Sequence, residues 1–230
     1  PLYRIGQRRH RTIAVMASFS VLYEDNDLLV VNKPAKREVE GPQKNSLVSD
    51  VNHYLRRAHS PHRAYLCHRL DKDTSGALLF AKGKENQKIL MQQFKDGKVK
   101  KTYYAFVHGR PARPEAIINE AIAEKTHRGA LVYKPAITKY KVLEYRAHYS
   151  VLAIEPLTGR TNQIRIHCKR IGHPLIGDRR FYVKGKPKPP LGRSALHAET
   201  LSFFHPKSKE ALFVKAPRPA DLVAFLNLNP

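Results

Sequence analysis

Short apolar runs separated by turn residues recur along this chain more often than helical repeats do, and that pattern limits the folds open to it. "FSVLY" (19–23) and "LLVVNK" (28–33) flank the acidic turn "EDND" and read as two strands joined by a turn. "ALLFA" (77–81) and "VKKTYYAFV" (99–107) read as further strands. So do the pair "ITKYKVLEY" (137–145) and "YSVLAIE" (149–155), and the late runs "ALHAETLSFF" (195–204) and "ALFVKAP" (211–217). Helical spacing is rarer. Ser46 offers an N-cap to a helix carrying Leu47, Val51, Tyr54, Leu55 and Ala58 on one side. Ile89, Leu90 and Phe94 mark a helix over 85–95 that Gly97 stops, and Ile164, Cys168 and Ile171 mark another that ends at Gly172. A short helix over 221–226 is expected to close the chain. Residues 36–46, 59–64 and the basic, Pro-rich 183–193 read as loops, and 110–135 fits no single pattern. Strand pairs outnumber strand–helix–strand units, so the expected class is α+β, with a mixed, largely antiparallel sheet and flanking helices. No linker divides the chain. A basic arm, or the remnant of an upstream segment, over 1–18 and a single domain over 19–230 are expected.

Charge narrows the partners. The 230 residues include 42 Lys or Arg against 19 acids, a formal net charge of +23. An excess of that size calls for a polyanion, with nucleic acid ahead of an anionic membrane surface. Apolar residues make up 42% of the chain, enough for a packed core and too many for a disordered basic tail. No apolar run approaches the roughly 18 residues that cross a bilayer. Cys67 and Cys168, with no C-x-x-C, disfavour a disulfide framework or zinc ribbon and fit a reducing compartment. The expected location is the cytoplasm or an organelle, and the expected oligomeric state is a monomer.

The candidate chemistry sits in "YLCHRLDKDTSGALLFAK" (65–82). Asp71 and Asp73 lie among His68, Arg69 and Lys72, directly before a run that reads as a buried strand. Neighbouring cations favour an ionised carboxylate, which suits a nucleophile or electrostatic stabiliser better than a general acid at neutral pH. The same residues also describe a turn whose acids pair with surface cations.

"HRLDKDTSG" (68–76) resembles the signature H-R-L-D-x-x-T-S-G of the RluA family of pseudouridine synthases. Three further segments agree in order: "VLYEDNDLLVVNKPA" (21–35), "VKKTYYAFVHG" (99–109) and "GRTNQIRIHCKRIGHPLIGDRRF" (159–181). The likeness runs from about residue 19 to 226. It implies a pseudouridine synthase catalytic domain over 19–230 that isomerises uridine to pseudouridine in ribosomal or transfer RNA, with no cofactor and no metal. It also implies that Asp71 is the catalytic aspartate, that Asp73 is structural, and that Arg165 pairs with Asp71. Tyr103 is then the ring-stacking residue and base, and Arg69 the residue that fills the space left by an extruded nucleotide. From the residues alone, Tyr103 reads first as a core or interface aromatic, and Arg69 has the alternative of a plain phosphate contact. Tyr104, its strand neighbour, points the other way. Arg160 is expected either to hold a phosphate or to brace its turn, and Lys33 either to reach a phosphate or to sit as a surface lysine.

Residues 160–193 hold ten Lys or Arg and one acid, Asp178, and are the expected track for RNA. His59, His62, His68, His167, Cys168 and His173 lack the spacing of a metal motif. The chain departs from the family where "KREVEGPQKN" follows "VNKPA", and at Asn162, where His is frequent. The first departure bears on the choice of RNA. Two rivals remain: a non-catalytic RNA-binding or ribosome-assembly protein on the same fold, and a metal-dependent nuclease using Asp71, Asp73 and a histidine.

Overall fold

In the computed structural model the described residues are 18–41, 46–127, 129–181 and 191–229. In chain order the elements are β1 (Ser20–Glu24), β2 (Leu28–Lys33), α1 (Leu47–Arg57), β3 (Ala64–Leu66), β4 (Ser75–Lys82), α2 (Lys84–Lys95) and β5 (Lys100–His108). They continue with β6 (Glu115–Asn119), β7 (Ile122–Lys125), β8 (Leu131–Lys134), β9 (Ile137–Tyr145), β10 (Tyr149–Pro156) and α3 (Gln163–Arg170). β11 (Leu196–Phe204), β12 (Ala211–Lys215) and α4 (Ala220–Leu228) complete the chain. The expected α+β class, with mostly antiparallel strands, is found. Two compact units share the chain without a single linker. One comprises residues 1–101 and 198–217, and the other 102–197 and 218–230.

In the first unit the strands run β1-β2-β4-β11, with β3 on β4 and β12 on β11. All eight residues of β4 are buried, which is why its sequence reads as an unbroken apolar run instead of an alternation. Leu28, Val30, Ala77, Leu79, Leu90, Leu201, Phe203 and Val214 form one core cluster. Each of its large aliphatic side chains contributes roughly 1.5–3 kcal/mol by leaving water. Gly76, at φ 117°, lies where a Cβ would come within 2.2 Å of the Ala198 carbonyl oxygen, so β4 and β11 approach closely only because this position has no side chain. Ser46 Oγ accepts the Ser49 amide and caps α1 as expected. Asn52 of α1 pairs with both the N–H and the C=O of Ala64, so a side chain acts as a ladder partner for β3.

In the second unit β5-β10-β9-β6 form an antiparallel run, and β7 and β8 a separate antiparallel pair. Its core gathers Tyr104, Phe106, Tyr149, Val151, Ile176, Leu222 and Phe225. Arg193, only 2% exposed, forks onto Asp221 at 2.6 and 2.9 Å and ties the start of α4 to the segment before β11. β6, β7 and β8 fill the stretch that fitted no pattern. Every residue of β8 is exposed and β6 buries only Ile118, so neither shows the apolar alternation of a half-buried strand. α3 starts directly after Asn162, whose backbone is left-handed at φ 55°. It ends in a Schellman motif, with His173 N bonded to Cys168 O and Gly172 N to Lys169 O.

Candidate active site

The loop from Cys67 to Thr74 joins β3 to β4 and carries Asp71. Several bonds within the first unit hold it. Cys67 donates its amide to Leu79 O at 3.2 Å, and Leu79 returns its own amide to His68 Nε2 at 3.2 Å. Thr74 N closes a turn onto Asp71 O at 3.0 Å. Lys33 Nζ donates to Lys72 O at 2.8 Å, and also to Pro34 O and Arg37 O. Leu70 and Thr74 are buried on either side, while Asp71 stays partly exposed. The acid therefore sits on an anchored loop with solvent access.

Lys33 requires a correction. It is fully buried and its ammonium donates to three backbone carbonyls, so it braces the loop from within and does not reach a phosphate. His68 is not a metal ligand here. Because Nε2 accepts a backbone N–H, the ring is neutral, and it packs on Phe94 with centroids 4.9 Å apart. Burial, helped by the Lys101 charge, pushes its pKa down to about 3. Arg69 is exposed, and its Nε lies 3.6 Å from Glu40 Oε2, while Lys72 pairs with Glu38 at 3.0 Å. Two acids of the segment that departs from the family thus face the two cations that flank Asp71 in sequence.

In the second unit, Tyr103 of β5 is buried opposite Ile154 of β10. Tyr104 points to the other face, into the core with Phe106, as strand geometry requires, and Arg218 lies 3.8 Å over its ring. Arg165 projects from α3, whose opposite face is bolted to β9. Gln163 Nε2 donates to Ile137 O and Thr138 Oγ1, and His167 joins Thr138 Oγ1 to Glu120 O through its two ring nitrogens. Since a carbonyl only accepts, Nε2 of His167 carries the proton, and burial holds its pKa low.

The Arg165 guanidinium meets Asp178 through Nε at 2.6 Å and Nη2 at 2.9 Å, and Asn162 Oδ1 through Nη1 at 2.6 Å. The Phe181 ring lies 5.1 Å from its centre. Asp178 is fully buried and also accepts the amides of Arg180 and Phe181. Burial alone would raise its pKa. The Arg165 bond and charge, with those two amides, outweigh burial and hold the carboxyl below the usual range. Sequence reasoning counted Asp178 only as the lone acid of a basic stretch and gave Gln163 no role; G-D after a helix was the available signal. Arg160 donates Nε to Pro135 O at 3.1 Å. Arg193 leaves the expected RNA track because it is buried on Asp221, and residues 182–190 of that track lie outside the described residues.

Among the described residues the His/Cys/Asp/Glu grouping close enough for a metal is Asp25, Asp27 and His205, which includes none of the histidines weighed from sequence. Its groups already serve one another and the protein. Asp25 accepts from Tyr23 and His205, and Asp27 from Asn86 and Lys207. Cys67 and Cys168 are buried, and burial pushes both thiols up to about 12, which excludes a thiolate nucleophile at neutral pH.

Largely antiparallel strands carry both units, with Asp71 on an anchored loop of the first and Tyr103 and Arg165 on elements of the second. Residues 27–170 match the model of the family described as RNA pseudouridylate synthase. The chain is 34% identical over 224 residues to ribosomal large subunit pseudouridine synthase C of Buchnera aphidicola subsp. Schizaphis graminum, spanning 90% of this chain and 70% of that protein. It superposes on the human RNA pseudouridylate synthase domain containing 1 with a TM-score of 0.76 and 29% identity, over 90% of this chain and 87% of that one. The human RNA pseudouridylate synthase domain containing 4 shares the fold at a TM-score of 0.78 and 23% identity, over 90% and 91%. This chain belongs to the RNA pseudouridylate synthase family, as its four sequence segments imply.

Proposed function

We propose that the chain converts uridines of ribosomal RNA to pseudouridine, with Asp71 as the anion at the reacting sugar. The relative named for the large ribosomal subunit supports that RNA class. The bond from ribose carbon 1 to uracil nitrogen 1 breaks, the ring turns, and carbon 5 bonds to the ribose. Carbon 5 loses a proton and nitrogen 1 gains one, so atoms and electrons balance without a cofactor or metal. Asp71 serves either by attacking the ribose or by withdrawing the proton at carbon 2, and both routes need an anion held beside the sugar. The observation that carries this reading is the anchoring of its loop by His68, Lys33 and the Asp71–Thr74 turn while the carboxylate stays accessible. A pre-positioned charge needs little reorganisation in the transition state.

Arg165 is assigned as the partner of that anion, Tyr103 as the residue that stacks on uracil and takes the carbon 5 proton, and Arg69 as the side chain that replaces the flipped nucleotide in its stack. Asp73 is assigned no chemical role. The chain acts as a monomer on an RNA held by exposed Lys and Arg.

Pseudouridine mapping on ribosomal and transfer RNA from cells with and without this gene tests the proposal. Loss of specific pseudouridines from large-subunit ribosomal RNA is expected. Loss confined to transfer RNA would contradict the substrate class.

A further inference from the structure

We propose that Asn162 is a positioning residue for the isomerisation, setting the orientation of Arg165 through its side-chain carbonyl. Asn162 occupies the N-cap of α3, where an asparagine ordinarily accepts an N–H from the first turn and stabilises the helix. Here it does not. Its backbone is left-handed at φ 55°, and its side chain makes no capping bond to the helix. Its Oδ1 instead accepts from Arg165 Nη1 at 2.6 Å.

Other groups secure this end of the helix. Gln163 Oε1 accepts the Arg160 amide and the Thr158 hydroxyl, and Gln163 Nε2 reaches β9. Asn162 is thereby released from capping and placed against the guanidinium.

The arithmetic of donors shows what this achieves. A guanidinium has five N–H groups. Asp178 takes the one on Nε and one on Nη2, and Asn162 takes one on Nη1. These bonds engage all three nitrogens, and the one from Asn162 opposes rotation of the group about its contact with Asp178. The inference rests on the reading that the reaction requires Arg165, and it adds a specific device that this chain carries at the position where the family frequently has histidine.

The left-handed backbone offers a plainer reason for asparagine, since Asn tolerates that conformation better than most residues. Glycine separates the two. Asn162→Gly meets the backbone requirement at least as well and removes the acceptor, whereas Asn162→Asp keeps an acceptor at the same place. The full chain carrying either substitution, and Arg165→Gln in parallel, is assayed on unmodified large-subunit ribosomal RNA transcribed with 5-tritiated uridine. Tritium release from carbon 5 gives kcat and KM, and thermal melting reports folding. The expected result for Asn162→Gly is an unchanged melting temperature, a KM within about twofold of wild type, and a kcat lowered about 10- to 100-fold, the scale of a small misplacement of a reacting group. Asn162→Asp should recover kcat to within about threefold of wild type. Wild-type kcat in Asn162→Gly, or equal loss in Asn162→Gly and Asn162→Asp, overturns the inference. Full activity in Arg165→Gln instead overturns the reading of Arg165 on which it rests, so the two failures are told apart.

Discussion

Arg165 lies in a two-bond fork on Asp178, a carboxylate with no solvent exposure, at 2.6 and 2.9 Å. Removing one partner of a buried ion pair strands the other and costs about 3–5 kcal/mol, while replacing both with apolar residues is near neutral. Asp178→Asn should therefore lower the unfolding free energy and kcat together. The double substitution Asp178→Leu with Arg165→Met should regain much of the stability and none of the turnover. Chemical denaturation and tritium release check the pair. Turnover that returns with stability would mean that Arg165 serves only the fold.

His68, at the base of the Asp71 loop, sets a pH dependence. His68 is held neutral in the folded protein with a pKa near 3, against an ordinary histidine near 6.5 in the unfolded chain. Between those values the unfolded state binds a proton that the folded state refuses, so stability is full above about pH 6.5 and declines as pH falls toward 3. His167, also held low by burial, adds to the same slope. His68→Gln keeps an acceptor for the Leu79 amide but cannot titrate. Denaturant midpoints at pH 7 and pH 5 should differ less in this variant than in wild type. An unchanged difference would show that His68 does not carry the linkage.

Lys33 separates bracing from RNA contact. Lys33→Met leaves the carbonyls of Pro34, Arg37 and Lys72 without their shared donor and should lower stability by about 1–3 kcal/mol. It should also reduce kcat, since the Lys72 carbonyl adjoins Asp71. The slope of RNA affinity against salt should stay the same, whereas a lost phosphate contact would reduce it by about one ion. A wild-type melting curve with a reduced slope would restore the phosphate role.

Glu38 and Glu40 are exposed acids set against Lys72 and Arg69. They compete with phosphate for those cations, so Glu38→Gln with Glu40→Gln should tighten RNA binding at low salt by severalfold, and the gain should fade as salt screens it. Glu85→Gln with Glu115→Gln, two other exposed acids, is the control for an equal increase in net charge. Equal tightening in the control would remove any special place for the pair.

Much of the fold was legible because its signals were local. Ser46 capped α1, Gly97 and Gly172 ended α2 and α3, and the apolar runs of β2, β4, β5, β9 and β10 became strands. Motif order also identified the family. What stayed hidden depends on long-range contacts or on exposed strands. β8 shows no apolar alternation because none of its residues is buried. Lys33 looked like a surface cation because nothing local reveals that three carbonyls converge on it from residues 34, 37 and 72. Asp178 looked like a lone acid because its contact with Arg165 exists only once the loop after α3 folds against the helix, and Asn162 looked like a family exception because an asparagine at a helix start ordinarily caps the helix instead of reaching Arg165.

The most direct measurement is single-turnover tritium release by Asp71→Asn, paired with RNA binding by the same protein. Asparagine keeps the shape of the side chain and removes its charge. Release is expected to fall below detection, with RNA affinity within about threefold of wild type and an unchanged melting temperature, because the charge supplies transition-state stabilisation and little of the binding. Release at more than a few per cent of the wild-type rate would contradict an aspartate at the centre of the chemistry.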